Sequence, residues 1–186
     1  ARDRNANLLS NWDRALQNNQ QAYGIAVNDH FGPYRTDVPP TAVDSGKIVV
    51  LARSPTIAAY REAFENGSFF AIRETGLLKD THPNVSEIVV EEEGIRIETD
   101  GRVRWISTSL TIATGTEFEY TDLPPNARYL RAEISDPTGD AVVYTQAFTI
   151  RPVGDIDGNY RIDLTDDEIC ASLEMTQVTD GNIITA

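Results

Sequence analysis

The sequence has a single cysteine, Cys170, in 186 residues, so no disulfide can form within the chain. Histidine is almost as scarce, since only His30 and His82 are present. Positive charge is also in deficit: 16 Lys and Arg residues stand against 29 Asp and Glu residues, a formal net charge of −13. So acidic a chain repels phosphate backbones and anionic lipid headgroups. We therefore expect neither nucleic acid nor a membrane surface as its partner.

Long hydrophobic runs are absent as well. No stretch approaches the roughly 18 apolar residues of a membrane-spanning helix, and the first residues lack the apolar core of a signal peptide. Hydrophobic residues nevertheless make up 40% of the chain and charged residues 24%, which is ordinary globular usage. The composition predicts a folded protein with a core.

The pattern of apolar residues predicts an α+β protein in three parts. Residues 1–83 predict an α/β segment with helices in 6–21 and from Ser54-Pro55, and strands at 23–27, 47–52 and 69–72. Residues 84–151 change to short alternating stretches separated by turns, which is typical of an antiparallel β-sandwich. The predicted strands are 87–93, 95–99, 102–107, 117–120, 129–135 and 141–150. Residues 152–186 form an acidic tail. Two features are expected to be structural: Trp105 in the core and Glu91, Glu92 and Glu93 on a solvated strand end or turn.

The tail carries the sharpest motif. Oxygen-bearing side chains occupy positions 1, 3, 5, 9 and 12 of a twelve-residue loop, namely Asp155, Asp157, Asn159, Asp163 and Asp166. The backbone carbonyl of Arg161 falls at position 7, as a calcium loop requires. Crowded carboxylates repel one another unless a divalent cation lies between them, so the spacing predicts bound calcium. Tyr160 stands where glycine is usual, and a solvated turn without metal is the alternative.

With Gly158 at position 4 and aspartate at position 12, this loop resembles the first half of a type I dockerin, the calcium-dependent module that docks onto cohesin scaffolds. The resemblance implies a short EF-hand-like or dockerin-like loop followed by a helix, and a cohesin-like or other protein partner for the tail. It also implies an exported bacterial protein, extracellular or periplasmic, because calcium outside cells is abundant enough for weak loops of this kind.

A second candidate site follows the predicted strand 23–27. Asn28, Asp29 and His30 place an amide, an acid and an imidazole just past its end, where α/β folds position their functional groups. Metal ligation there competes with a simpler interpretation, a hydrogen-bonded loop histidine. The other histidine, His82, precedes Pro83 between two predicted segments and is expected to be exposed.

The order of landmarks from 12 to 151 resembles the carboxyl-terminal portion of PHP-family metal-dependent phosphoesterases, in particular the CehA/McbA-like branch. The landmarks are a helix with Trp12-Asp13-Arg14-Ala15-Leu16, a strand leading to an Asp-x-His metal motif, a proline-rich loop, Ile48-Val49-Val50-Leu51, a helix ending at 63–70, and sandwich strands at 129–134 and 144–148. The resemblance implies metal-activated water attacking a phosphoester, with zinc or manganese at the site and His30 and Asp29 as catalytic residues.

This chain departs from that family at one ligand position. The family has aspartate two residues before the histidine, whereas this chain has Asn28 there and Asp29 adjacent. Either Asp29 is the ligand in a shifted register or the acid is lost. The family's earlier His-x-His ligands are absent from these residues, so we expect the fragment to be incomplete as a catalyst by itself. The alternative function is a non-catalytic extracellular β-sandwich, used for binding or as a spacer, with a calcium-stabilised docking tail.

Overall fold

A computed structural model describes residues 4–27, 46–74 and 82–150. With the exception of Ile150, all of them belong to one compact unit, Ala1–Thr149. The helices and strands of these residues are α1 (Arg4–Gln17), β1 (Gly46–Val50), α2 (Ile57–Glu65), β2 (Phe69–Glu74), β3 (Val85–Val90), β4 (Gly94–Thr99), β5 (Arg102–Ser107), β6 (Leu110–Thr114), β7 (Glu117–Glu119), β8 (Tyr129–Ser135), β9 (Ala141–Tyr144) and β10 (Phe148–Thr149). The predicted α+β class is confirmed.

Two antiparallel sheets organise the unit. The larger has the strand order β1-β2-β9-β8-β5-β6, with β10 also paired to β8, and the smaller has the order β3-β4-β7. Strands β2 and β9 pair from Ala71 opposite Tyr144 to Glu74 opposite Ala141. Strands from both sides of residue 83 therefore share the larger sheet, so the division expected at that residue is not a division of this sheet.

The segment 46–74 differs from the expected α/β arrangement. Strands β1 and β2 run antiparallel, with Gly46 opposite Arg73 and Val50 opposite Phe69, although α2 lies between them in sequence. The helix also begins later than Ser54-Pro55 predicted, because Thr56 is the N-cap and its hydroxyl accepts a bond from the Ala59 amide at 3.3 Å. The Ser54 hydroxyl instead lies 3.2 Å from that of Thr56.

One face of the larger sheet is apolar. Register places six side chains there, each at most 4% exposed: Ile72, Val103, Trp105, Ala132, Ile134 and Val143. We call this set the apolar face. Trp105 contacts Phe118 of β7 with ring centroids 5.3 Å apart, so this face packs against the smaller sheet. The Trp105 indole also donates to the Gly115 carbonyl at 2.8 Å, which satisfies its polar atom in the core. The core role predicted for Trp105 is confirmed.

The opposite side of the same strands carries charge. Register places Ala71, Arg104, Arg131, Glu133 and Tyr144 on it, and we call this set the helix face. The name reflects α1, whose Asp13 bonds Arg131 on this side and whose Leu9 packs against Ala71 and Tyr144. Arg131 and Tyr144 are buried where α1 lies over this face, whereas the Arg104 side chain stays exposed.

The strand predicted at 141–150 is interrupted. Tyr144 lies opposite Glu133, but Phe148 lies opposite Leu130, so one extra residue enters between β9 and β10. At this bulge the Thr145 amide donates to the Ala132 carbonyl at 3.0 Å, and the Thr145 hydroxyl accepts from the Ala132 amide at 2.9 Å. The hydroxyl takes the role of a main-chain acceptor, and the next side chain, Gln146, is redirected off the strand.

Candidate functional site

Both groups of predicted metal ligands lie outside the described residues. These are Asn28, Asp29 and His30 in the first group, and Asp155, Asp157, Asn159, Arg161, Asp163 and Asp166 in the second. Within 4–27, 46–74 and 82–150, no group of three or more His, Cys, Asp or Glu side chains is placed to hold a metal ion. The structure does, however, describe the segment that leads directly to Asn28.

That segment, residues 21–27, forms no strand, contrary to the strand predicted at 23–27. Its larger aliphatic side chains are exposed, Ile25 by 60% and Val27 by 66%, whereas Ala26 packs against Ala71 and Tyr144 of the sheet. Side chains from other elements bind its backbone instead. The Gly24 amide donates to Gln146 Oε1 at 2.8 Å, and Gln146 Nε2 donates to the Gly24 carbonyl at 2.8 Å. A buried glutamine thus gives Gly24 the two hydrogen bonds that a neighbouring strand would give.

Two further bonds fix the same segment. The Trp12 indole on α1 donates to the Ala22 carbonyl at 2.9 Å, and the Tyr23 hydroxyl donates to the Glu65 carbonyl at the end of α2, also at 2.9 Å. A Cβ added to Gly24 would lie 2.8 Å from the Trp12 ring, so only glycine fits this close approach. The approach to Asn28 is therefore held by α1, by α2 and by the bulge after β9.

The chain passes Val27 beside the start of β1. A Cβ added to Gly46 would lie 2.7 Å from the Val27 carbonyl carbon and oxygen, so the two backbones are in contact. The residues that flank 28–45 on either side are thus neighbours in space. Glycine at 46 is what permits this contact, because any side chain there would displace Val27.

A buried charge network lies next to the anchored segment. Arg131, only 1% exposed, donates from Nε to Asp13 Oδ1 at 2.7 Å and from Nη2 to Asp13 Oδ2 at 3.0 Å. It also donates from Nη1 to Glu133 Oε1 at 2.8 Å, and its guanidinium carbon lies 5.0 Å from the centre of the Trp12 ring. Glu133 accepts a second charged bond from Arg104 at 2.6 Å. Two carboxylates and two guanidiniums balance, as buried charges require.

Burial and these contacts shift several pKa values. Burial disfavours the charged Arg131 guanidinium, but hydrogen bonds and attraction from Asp13 and then Glu133 outweigh it, so the pKa of Arg131 is raised. Burial also raises the pKa of Tyr129, against the opposing effect of a hydrogen bond from the Ser109 amide. Burial raises the pKa of Tyr144, and the charge of Arg73 partly opposes this. At neutral pH both tyrosines stay protonated, and the Arg131 guanidinium carries its charge.

A cavity of about 680 Å³ opens on the same side of the sheet. Arg73, Arg102 and Arg104 line it together with the hydroxyl-bearing Ser135 and Thr114, and none of the described residues that line it is acidic. We call it the arginine groove. Its volume is within the range of about 300 to 1,000 Å³ usual for small-molecule sites. No motif in the sequence indicated this groove, although Arg102 and Arg104 alternate in a clear strand and therefore share a face.

The remaining sequence expectations concern single residues. His82 is half-buried rather than exposed, and its Nδ1 lies 3.2 Å from the carbonyl of the adjacent Pro83. Glu91, Glu92 and Glu93 are exposed between β3 and β4, as expected for a solvated turn. No helix in the described part of the chain has the length and apolarity to span a membrane.

Comparison with known proteins adds no further assignment. Searches of protein-family models, of curated proteins and of solved structures found no match to this chain. Functional inference therefore depends on the residues and their geometry.

Proposed function

We propose that this chain is the carboxyl-terminal part of a secreted, PHP-type metal-dependent hydrolase that acts on phosphoesters. The observation that supports it most strongly is the anchoring of the segment just before Asn28, Asp29 and His30. Trp12 and Gln146 bind the backbone of Ala22 and Gly24, and the Tyr23 hydroxyl donates to the Glu65 carbonyl at the end of α2. Metal ligands need supporting contacts of this kind, because geometry errors of a fraction of an ångström weaken both binding and catalysis.

In this proposal His30, with Asp29 or Asn28, contributes ligands to zinc or manganese. Imidazole and carboxylate are donors that both metals accept. The bound metal would supply activated water for attack on phosphorus. A two-metal centre needs more imidazoles than the chain's two histidines can give, so further ligands come from the parent protein that precedes this portion.

The test is turnover of a phosphomonoester and a phosphodiester with added Mn²⁺ or Zn²⁺, by this chain and by the chain extended with its upstream coding sequence. His30→Ala is expected to abolish turnover in the extended protein. His82→Ala is the matched control, since it removes the only other histidine, whose ring faces its own neighbouring carbonyl, and should leave turnover unchanged. Absence of turnover in the extended protein, or equal loss in both variants, would overturn the proposal.

The second candidate function is a non-catalytic extracellular β-sandwich that binds a ligand or acts as a spacer. The arginine groove favours it, because this concave surface is built entirely from strands and the turns beside them. The two functions separate cleanly in experiment. A binding module retains ligand affinity in the His30→Ala variant and shows no metal-dependent turnover in either protein.

For residues 152–186 we propose a calcium-stabilised, dockerin-like segment that contacts a cohesin-like or other protein partner. Its support is the spacing of Asp155, Asp157, Asn159, Asp163 and Asp166 around the Arg161 carbonyl. A cation that binds only the folded tail stabilises it by mass action, so calcium should raise its melting temperature.

Differential scanning calorimetry with calcium and with chelator tests the tail proposal. Asp155→Ala, which removes the position-1 ligand, should abolish the calcium-dependent increase. Asp180→Ala is the control, because it removes an acidic side chain of the same tail from outside the loop. A melting profile that is the same with calcium and with chelator would contradict the calcium site.

A further inference from the structure

The arginine groove concentrates positive charge on a strongly acidic chain. Within the described residues, Arg104 shares Glu133 with the buried Arg131, and neither Arg73 nor Arg102 forms an ion pair with a carboxylate. The network of Asp13, Arg131, Glu133 and Arg104 balances by itself. Arg73 and Arg102 therefore leave the groove with excess positive charge, although the whole chain has a net charge of −13.

Strand register aligns the groove's side chains. Arg73 lies opposite Val142 and Val142 opposite Ser135, and Ser135 lies opposite Arg102, so one row crosses β2, β9, β8 and β5. The two arginines end this row three strand spacings apart, about 14 Å between their backbones. Arg104 lies on the same side of β5, two residues after Arg102, and is opposite Thr114 of β6. Guanidiniums thus approach the cavity from both of its sides, with hydroxyls between and beside them.

One nitrogen of the Arg73 guanidinium lacks a hydrogen-bond partner among the described residues. This nitrogen is Nε, and it is buried. A buried donor without a partner destabilises the fold, and a bound acceptor would remove that penalty. Oxyanions suit the site, because the planar guanidinium fork matches two oxygens of a phosphate or carboxylate.

We propose that the arginine groove binds the oxyanion group, phosphate or carboxylate, of a small ligand, and that Arg73 and Arg102 are its principal contacts. The proposal does not rest on hydrolysis, since it needs neither a metal nor residues 28–30. A phosphate-bearing ligand and a carboxylate-bearing ligand share the recognition chemistry, and the experiment separates them.

The experiment is isothermal titration of the chain with inorganic phosphate and, separately, with malonate, against chloride at matched ionic strength and with no divalent metal. Arg102→Gln removes an exposed charge and should leave the fold intact, which circular dichroism checks. We expect binding of at least one of the two anions, weakened about tenfold or more by Arg102→Gln. Arg73→Gln should weaken it similarly, and the anion that binds more tightly identifies the ligand's chemistry.

Arg96→Gln is the matched control. Arg96 lies on the smaller sheet, pairs with Glu87 at 3.4 Å and does not line the groove. The proposal predicts unchanged affinity in this variant. Binding of neither anion above the chloride reference, or the same weakening in Arg96→Gln as in Arg102→Gln, would overturn it. Anion titration tests the groove and turnover tests the hydrolase proposal, so either proposal can fail without the other.

Discussion

The two faces of the larger sheet are buried by different interactions, apolar packing on one and paired charges on the other. The apolar face buries Trp105, Ile134 and Val143, and Trp105 packs on Phe118 of the smaller sheet, so burial of apolar area is its main source of stability. The helix face buries Arg131 and Glu133, whose charges are paired through directional hydrogen bonds. Arg131 bonds Asp13 and Glu133, and Arg104 bonds Glu133. The same strands present both faces. The difference shows that the apolar face supplies stability, whereas the helix face fixes where α1 and the segment leading to Asn28 lie.

The largest expected effect is on the apolar face. Trp105→Ala removes a fully buried ring and its contact with Phe118, and leaves the Gly115 carbonyl without its donor. We expect a loss of about 3 to 5 kcal/mol in the free energy of unfolding, measured by urea denaturation. Leu110→Ala, at a side chain that is 66% exposed, should change it by less than about 0.5 kcal/mol. Similar losses in the two variants would show that the sheets do not share a core.

On the helix face, Asp13→Ala leaves Arg131 buried with Glu133 as its remaining partner. We expect a loss of about 3 kcal/mol, because an uncompensated buried charge is costly. Replacing both charges, Asp13→Leu with Arg131→Met, should recover part of it. Arg96→Ala breaks an exposed pair with Glu87 and should cost about 0 to 1 kcal/mol. A double variant less stable than Asp13→Ala would mean that the ion pair contributes net stability.

Gln146→Ala tests whether the Gln146 side chain holds the segment that leads to the candidate metal site. It removes both bonds to Gly24, so we expect a loss of about 1 to 3 kcal/mol. Hydrogen exchange is the sharper measurement, because the Gly24 amide should exchange faster while the Val143 amide, in β9, keeps its protection. Unchanged exchange at Gly24 would show that Gln146 does not hold the segment.

The smallest expected effect is on the free energy of unfolding at alkaline pH. Burial raises the pKa of Tyr129 and of Tyr144 in the folded state, so the unfolded state loses these protons first as the pH rises. Their contribution to stability is complete below about pH 10 and is lost as the pH rises towards the folded pKa values. Urea midpoints from pH 8 to 11 measure the decline. Tyr144→Phe should make it shallower, whereas Tyr60→Phe, at a side chain that is 43% exposed, should not.

The local pattern predicted the strands that have one apolar face. Strands β5 and β8 begin and end where alternation placed them, at 102–107 and 129–135. The same alternation suggests that Arg131 and Glu133 face solvent. Both are buried, because α1 covers them, and a contact across more than a hundred residues has no local signal. Pairing of β2 with β9 is equally non-local.

Other differences have local causes. Strand β6 escaped prediction because Leu110–Thr114 has little alternation and Leu110 is exposed. The apolar run 23–27 indicated a strand, yet the backbone bonds of Gly24 are made by the Gln146 side chain, which no sequence period reveals. Of the candidate sites, only the arginine groove lies within the described residues. The ligands at 28–30 and 155–166 remain predictions from motif and resemblance.

We propose that Asn28, Asp29 and His30, which follow the anchored segment in sequence, form a metal site. Calorimetric titration with Mn²⁺ measures this site in the protein extended with its upstream coding sequence and with its tail already saturated with calcium. We expect a class of Mn²⁺ sites in the wild type that is lost in His30→Ala and kept in His82→Ala. Identical titrations of all three proteins would contradict it.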